Sequence, residues 1–275
     1  MPKTKIEIIY QAPPQGQQTA DDIIVINKPA GVSVTKDRSG AVQLLDILME
    51  QLGPETAGRL RLVHRLDKHT SGVMILAGNA QTQSALSGYF EKRLVKKTYL
   101  AIVTGIVRSQ QGSINIPLTR NRRNPAVMCL ARKKGKEAIT NWKLLADFGS
   151  MALLAVQPLT GRTHQIRVHL PSIELPLKID PLYGSSRPLF LSDFKLDYRL
   201  GRGQIEKPLI NRLTLHAYQI QMPNAGQACP DCFIAGLDKK FAAAIKMLTK
   251  HNPKGLNAFV DSDNFSKIIN NKRLD

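Results

Sequence analysis

Two short polar runs interrupt apolar surroundings and carry the side chains best suited to chemistry. The first, His64-Arg65-Leu66-Asp67-Lys68-His69-Thr70-Ser71-Gly72, sets one carboxylate among cations directly before the apolar run at 73–77. Such a group suits nucleophilic or acid–base work, although the same composition also suits an ordinary charged loop ahead of a strand. The second, Thr160-Gly161-Arg162-Thr163-His164-Gln165-Ile166-Arg167-Val168-His169, directly follows the apolar run at 151–158. A helix beginning at Thr163 carries Arg162 and Arg167 near its N-terminal end. Fixed positive charge there suits a phosphate or a carboxylate, and a helix cap with solvated arginines is the plain alternative.

Other chemistries find little support. Cys129, Cys229 and Cys232 are an odd number in a chain of 275 residues, which suits a reducing compartment better than a disulfide framework. Cys229 and Cys232 form one Cys-x-x-Cys, but a zinc ribbon needs a second pair, and the ordinary reading is two thiols beside a turn at Pro230. The six histidines at 64, 69, 164, 169, 216 and 251 form no metal-ligand spacing, so no metal is expected. Gly201-Arg202-Gly203 lacks the third glycine and the preceding strand of a dinucleotide turn, and no P-loop occurs, so no nucleotide cofactor is expected either.

Charge narrows the partner. There are 39 Lys and Arg against 21 Asp and Glu, a net charge of +18, with a pI near 10.0. Between 120 and 136 stand Arg120, Arg122, Arg123, Arg132, Lys133, Lys134 and Lys136 with no acid, and further cations cluster at 59–68 and 92–97. A field of this sign concentrates a polyanion, so nucleic acid leads as the partner and an anionic membrane surface is the weaker alternative. With aromatics at only 5%, a surface built mainly on base stacking is not expected. No apolar run approaches the roughly 18 residues of a spanning helix, and the start is too short and interrupted for a signal peptide. The expected location is cytoplasmic.

The elements that must position these residues follow from periodicity. Strands are expected at 22–27, 73–77, 98–103, 138–145, 151–158 and 213–222, and helices at 42–52, 81–94, 163–170 and 237–248. Strands outnumber helices without alternating with them, which predicts an α+β fold. The basic run at 120–136 reads as a loop, and 188–208 as a surface insertion. The expected organisation is an N-terminal extension over 1–20, one catalytic domain over 21–250 and a loosely held polar tail over 251–275.

The ordered motifs decide among these readings. His64-Arg65-Leu66-Asp67 with Thr70-Ser71-Gly72, preceded by Lys28-Pro29-Ala30-Gly31, resembles the RluA-type family of RNA pseudouridine synthases. Lys97-Thr98-Tyr99, the run from Gly161 to His169, Asp180-Pro181-Leu182-Tyr183-Gly184 and Leu215-His216-Ala217 follow in the family's order, together covering about 21–223. The chain departs at Lys178-Ile179, where the family commonly has a glycine, and beyond 223, where no match is evident.

The resemblance implies the family's fold, a mixed and mainly antiparallel sheet flanked by helices, and the isomerisation of uridine to pseudouridine. It assigns the catalytic carboxylate to Asp67, the cation that holds it ionised to Arg167, and a tyrosine beside the target base to Tyr99. Arg65 matches the residue that fills the gap left by a flipped nucleotide. His64, Arg162, His164 and the run Arg120, Arg122, Arg123, Arg132, Lys133 and Lys134 are expected on the RNA. The partner is then ribosomal or transfer RNA, with no cofactor, no membrane and a monomer. The rival from another class is a non-catalytic RNA-binding or ribosome-assembly factor on the same fold; a nuclease or glycosylase would call for a second carboxylate or a metal cluster.

Overall fold

The computed structural model describes residues 5–11, 22–35, 43–195, 197–201, 203–223 and 230–274. In chain order the elements are β1 (Glu7–Gln11), β2 (Ile23–Lys28), α1 (Leu44–Leu52), α2 (Pro54–Ala57), β3 (Arg61–Leu62), β4 (Ser71–Ala77), α3 (Ala80–Glu91), β5 (Lys96–Thr104), β6 (Gln111–Asn115), β7 (Leu118–Arg120), β8 (Met128–Leu130), β9 (Ile139–Asp147), β10 (Met151–Pro158), α4 (Gln165–His169), β11 (Leu215–Gln221), β12 (Cys232–Ile234), α5 (Lys239–His251) and α6 (Asp263–Ile269). Where one domain over 21–250 is expected, the chain forms two compact units. The first comprises Met1–Lys97 and Ala217–Gly236, the second Thr98–His216 and Leu237–Asp275.

In the first unit β2 pairs antiparallel with β1 and with β4, β3 pairs with β4, and β11 pairs with β12. The unbroken apolar runs of β2 and β4 explain their burial on both faces: Val25, Ile26 and Val73 through Ala77 are fully inside. Local signals set the helix ends. Asp46 accepts from the Gln43 N–H at the start of α1, Pro54 opens α2, and the Asn79 side chain caps α3 by accepting from the Thr82 N–H at 2.8 Å. Gly72 has φ +122, and a Cβ there would meet the Ala217 carbonyl oxygen at 2.1 Å, so only glycine fits.

In the second unit β10 is central, antiparallel to β5 on one side and β9 on the other, with β6 beyond β9. Ala101, Val103, Leu154, Val156, Ile166 and Leu215 belong to its apolar core. Strand β10 occupies the span its periodicity predicts. The basic run at 120–136 differs from its expectation as a loop: β7 and β8 pair from Leu118 opposite Leu130 to Arg120 opposite Met128. The chain then returns so that Leu118 and Lys136 exchange backbone hydrogen bonds at 2.9 and 2.8 Å. Only Leu118 is buried in this ribbon, and the strands are three residues long, too short for periodicity to declare. All seven basic residues of the run are exposed.

The expectation of a loosely held tail over 251–275 does not hold. Phe259, Ile268 and Leu274 are buried, Ala146 of β9 forms a bridge with Phe259, and the Val260 N–H donates to the Leu145 carbonyl at 2.9 Å. A few apolar side chains among many asparagines suffice to anchor the segment, although they show little period. In 188–208, Leu189 is buried and bridges Ile210. Cys229 lies outside the described residues, and Cys232 is half-buried in β12. Among the described residues no helix is long and apolar enough to cross a membrane.

Candidate functional site

The Asp67 loop belongs to the first unit and connects β3 to β4. Asp67 is half-buried, its carbonyl accepts from the Thr70 N–H at 3.1 Å, and Arg65 is exposed. The loop is held from the upstream Lys28-Pro29-Ala30-Gly31 turn. Lys28 is fully buried, and its ammonium donates to the carbonyls of Pro29, Val32 and Lys68 at 3.0, 2.9 and 3.1 Å. Gly31, at φ +92, adds an N–H to the same Lys68 carbonyl at 2.8 Å. All three ammonium protons are thereby matched to oxygens, one of them the carbonyl of the residue after Asp67. Lys28 had a motif position in the sequence but no role, because nothing in spacing says that a charged side chain at a strand end turns inward.

His64 is placed differently from the RNA-contacting residue the sequence suggests. Its Nε2 accepts from the Ile75 N–H of β4 at 2.9 Å, and its ring stacks on Phe90 of α3 at 4.6 Å. An accepting nitrogen requires a neutral ring. Burial, and then the charge of Lys97, hold the His64 pKa down to about 3. The side chain therefore braces the Asp67 loop between a strand and a helix.

The second unit holds Tyr99, Arg162, His164, Arg167 and the basic ribbon. Tyr99, opposite Val156, is half-buried at the start of β5 and packs on the apolar core. Helix α4 starts at Gln165 rather than Thr163, because His164 sits at φ +54, a left-handed conformation that no helix continues through. A buried network fixes this turn. Gln165 Oε1 accepts from the Thr160 hydroxyl at 2.7 Å and the Arg162 N–H at 3.0 Å, while its Nε2 donates to the Ile139 carbonyl and Thr140 Oγ1, both at 2.9 Å. His169 Nε2 donates to the Ile116 carbonyl at 2.9 Å, and its Nδ1 lies 2.9 Å from Thr140 Oγ1. Burial lowers its pKa. Gln165 and His169, four apart, thus share the face toward β9. Arg162 Nε donates to the Glu137 carbonyl at 2.8 Å.

Arg167 is held elsewhere. Its Nε and Nη2 donate to the two carboxylate oxygens of Asp180 at 2.9 and 2.8 Å, a forked pair with side chains only 5% and 2% exposed. Asp180 Oδ1 also accepts from the N–H groups of Leu182 and Tyr183 at 3.0 and 3.2 Å. That turn lays the Tyr183 ring over the Arg167 guanidinium, 5.1 Å from Cζ to the centroid. Asp180 and Tyr183 appeared in the sequence as motif positions without a function; the fork geometry and the ring are visible only in three dimensions. The structure thus brings Arg162, His164, Arg167 and the ribbon into one unit, and His64, Arg65 and Asp67 into the other.

Residues 22–172 match the family profile described as RNA pseudouridylate synthase. The chain is 35% identical over 199 residues to the ribosomal large subunit pseudouridine synthase D of Borreliella burgdorferi, covering 68% of this chain and 61% of that protein. It is 39% identical over 171 residues to an uncharacterized RNA pseudouridine synthase of Zymomonas mobilis, covering 60% of this chain and 76% of the relative. It thus spans less than two thirds of the length of the Borreliella protein. The solved structure of human RNA pseudouridylate synthase domain containing 4 is similar with a TM-score of 0.64 at 26% identity, covering 88% of this chain and 92% of that one.

Proposed function

We propose, from the premise that this chain belongs to the RNA pseudouridylate synthase family, that it isomerises uridine to pseudouridine in RNA. The base leaves C1′ at N1, turns, and rejoins through C5; the C5 hydrogen departs and N1 gains one, so atoms balance without a redox partner or group donor. Asp67 is the carboxylate that attacks or stabilises the reacting nucleoside. Arg167 keeps that carboxylate ionised, Tyr99 packs beside the base and moves a proton, and Arg65 fills the gap behind a flipped nucleotide.

The observation that carries the reading is the Arg167 fork. Taking a guanidinium out of water costs several kcal/mol by general estimate, and apolar residues would fill the same space at least as stably. A buried cation in a strongly basic protein suits the task of meeting a carboxylate or an anionic substrate. The exposed ribbon supports an RNA partner, since Arg122, Arg123, Lys133 and Lys134 project where phosphates are accessible. Ribosomal RNA is the substrate class we favour, because the Borreliella relative is named for it, and we place the enzyme in the cytoplasm as a monomer.

The test is tritium release from unmodified ribosomal RNA and transfer RNA carrying 5-³H-uridine, comparing wild type with Asp67→Asn. Release by wild type alone is expected, with RNA affinity of the variant within about 1 kcal/mol because phosphate contacts dominate binding. Full activity in Asp67→Asn refutes the assignment of the carboxylate. RNA binding without release from either RNA class overturns the isomerase reading in favour of a binding factor.

A further inference from the structure

The basic ribbon and the Arg167 turn meet at one hydroxyl. Tyr183 Oη accepts a hydrogen bond from the Met128 N–H of β8 at 2.8 Å and lies 2.7 Å from His164 Nδ1. Met128 stands opposite Arg120 and directly follows the turn at 121–127 that carries Arg122 and Arg123. One phenol oxygen thus joins a backbone N–H of the ribbon to the ring of the residue that opens α4. Around this link lies a small apolar contact of Leu118, Ala138 and Val168, against which Met128 and Tyr183 pack. The ribbon therefore divides into an exposed basic surface and a buried attachment, and Tyr183 is common to that attachment and to the cover over Arg167.

We propose that Tyr183 is a positioning residue with two separable tasks: its hydroxyl docks the basic ribbon so that the cations meet the RNA phosphate backbone in register, and its ring holds the Arg167 guanidinium. The proposal rests on the isomerase reading above for its second task and on the ribbon's RNA contact for its first. Left-handed His164 serves the same link. A side chain at a helix start with φ +54 points away from the path that continuing helix would give it, and here that direction leads to Tyr183. Undocked, the ribbon takes its cations off the RNA, so weakening the dock lowers affinity and removes phosphate contacts from the salt dependence.

Tyr183→Phe removes the hydroxyl and keeps the ring; Tyr183→Leu removes both. Both are compared in the full chain by binding to an unmodified ribosomal RNA transcript over a salt series, by tritium release at saturating RNA, and by limited trypsin digestion at the ribbon arginines. Loss of one hydrogen bond from the dock weakens RNA binding about tenfold in Tyr183→Phe. The salt slope is expected to flatten and trypsin to cut the ribbon faster, while the rate at saturating RNA falls less than in Tyr183→Leu. Tyr183→Leu additionally lowers that saturated rate. In a chain whose Arg122, Arg123 and Lys133 are changed to Gln, Tyr183→Phe brings no further loss of affinity.

Wild-type affinity and digestion rate in Tyr183→Phe overturn the proposal, as do additive losses in the neutralised background. Equal falls in the saturated rate for Phe and Leu place the hydroxyl in the chemistry and overturn the division of tasks. The trypsin and binding measurements need no turnover. Absence of release from the wild-type enzyme therefore defeats the isomerase reading while the docking of the ribbon is still decided.

Discussion

Asp180→Asn isolates the charge of the Arg167 fork from its shape. Asparagine keeps an oxygen at the Oδ1 position to accept from Leu182, Tyr183 and Arg167 Nη2, so the turn survives. It replaces Oδ2, which accepts from Arg167 Nε at 2.9 Å, with an amide donor facing a donor. Breaking one side of a pair as buried as this costs about 3–5 kcal/mol, and about 3 is expected here because the asparagine oxygen still accepts from Arg167 Nη2. Arg167→Met leaves the Asp180 carboxylate with two backbone donors and costs a similar amount. The double variant removes both charges and leaves one amide short of an acceptor, a loss of about 1–2 kcal/mol. It is therefore expected to be more stable than either single variant. Urea unfolding followed by the fluorescence of Trp142, the one tryptophan, which packs on the core of this unit, reads the difference directly. Tritium release is expected to be lost in both variants lacking Arg167 and strongly reduced in Asp180→Asn. A double variant destabilised by the sum of the singles, about 6 kcal/mol, refutes the argument that charge burial sets the energetics. A stable, active double variant refutes the role of Arg167.

Lys28→Met removes the three donors that hold the carbonyls of Pro29, Val32 and Lys68, and is expected to cost about 2 kcal/mol in urea unfolding and to lower the saturated release rate through the Asp67 loop. Wild-type stability would show that the carbonyls find other partners. Gly72→Ala drives a Cβ to 2.1 Å from the Ala217 carbonyl at a φ of +122, so little folded protein is expected by circular dichroism, and a normal melting curve would contradict the geometry. His64 gives a pH signature. Its folded pKa is lowered to about 3 from the ordinary 6.5, so the unfolded chain binds the proton first and stability falls as pH drops through that window. Between pH 7 and pH 5 the contribution lost is about 2 kcal/mol, and His64→Gln is expected to lose that much less stability over the same interval; identical losses would place the titration elsewhere.

What the sequence made legible was whatever repeats or carries its own punctuation. Strand β10 was expected over 151–158 and occupies Met151–Pro158, because the unbroken apolar run from Met151 to Val156, flanked by Ser150 and Gln157, has one way to be buried. The family motifs located both polar runs for the same reason: each is a contiguous string. The basic ribbon escaped because paired strands of three residues carry no period, and the tail escaped because its few anchoring side chains are far apart. His64 and Lys28 were misjudged or passed over through their type alone, since a charged or titratable residue is read as facing water until a neighbouring strand supplies its hydrogen-bond partners.

The deeper gap concerns how the candidate residues depend on one another. The sequence presents Arg167 and the run at 120–136 as two separate basic signals, one inside a motif and one in a stretch of charge. In the structure both are reached from Tyr183, whose own position follows from two backbone N–H groups gathered by Asp180. Asp180 in turn is oriented by Arg167. The Asp180-Pro181-Leu182-Tyr183-Gly184 string is therefore less a site in itself than the joint between a buried cation and an exposed basic ribbon. A substitution there is expected to change binding and rate together unless, like Tyr183→Phe, it separates the ring from the hydroxyl.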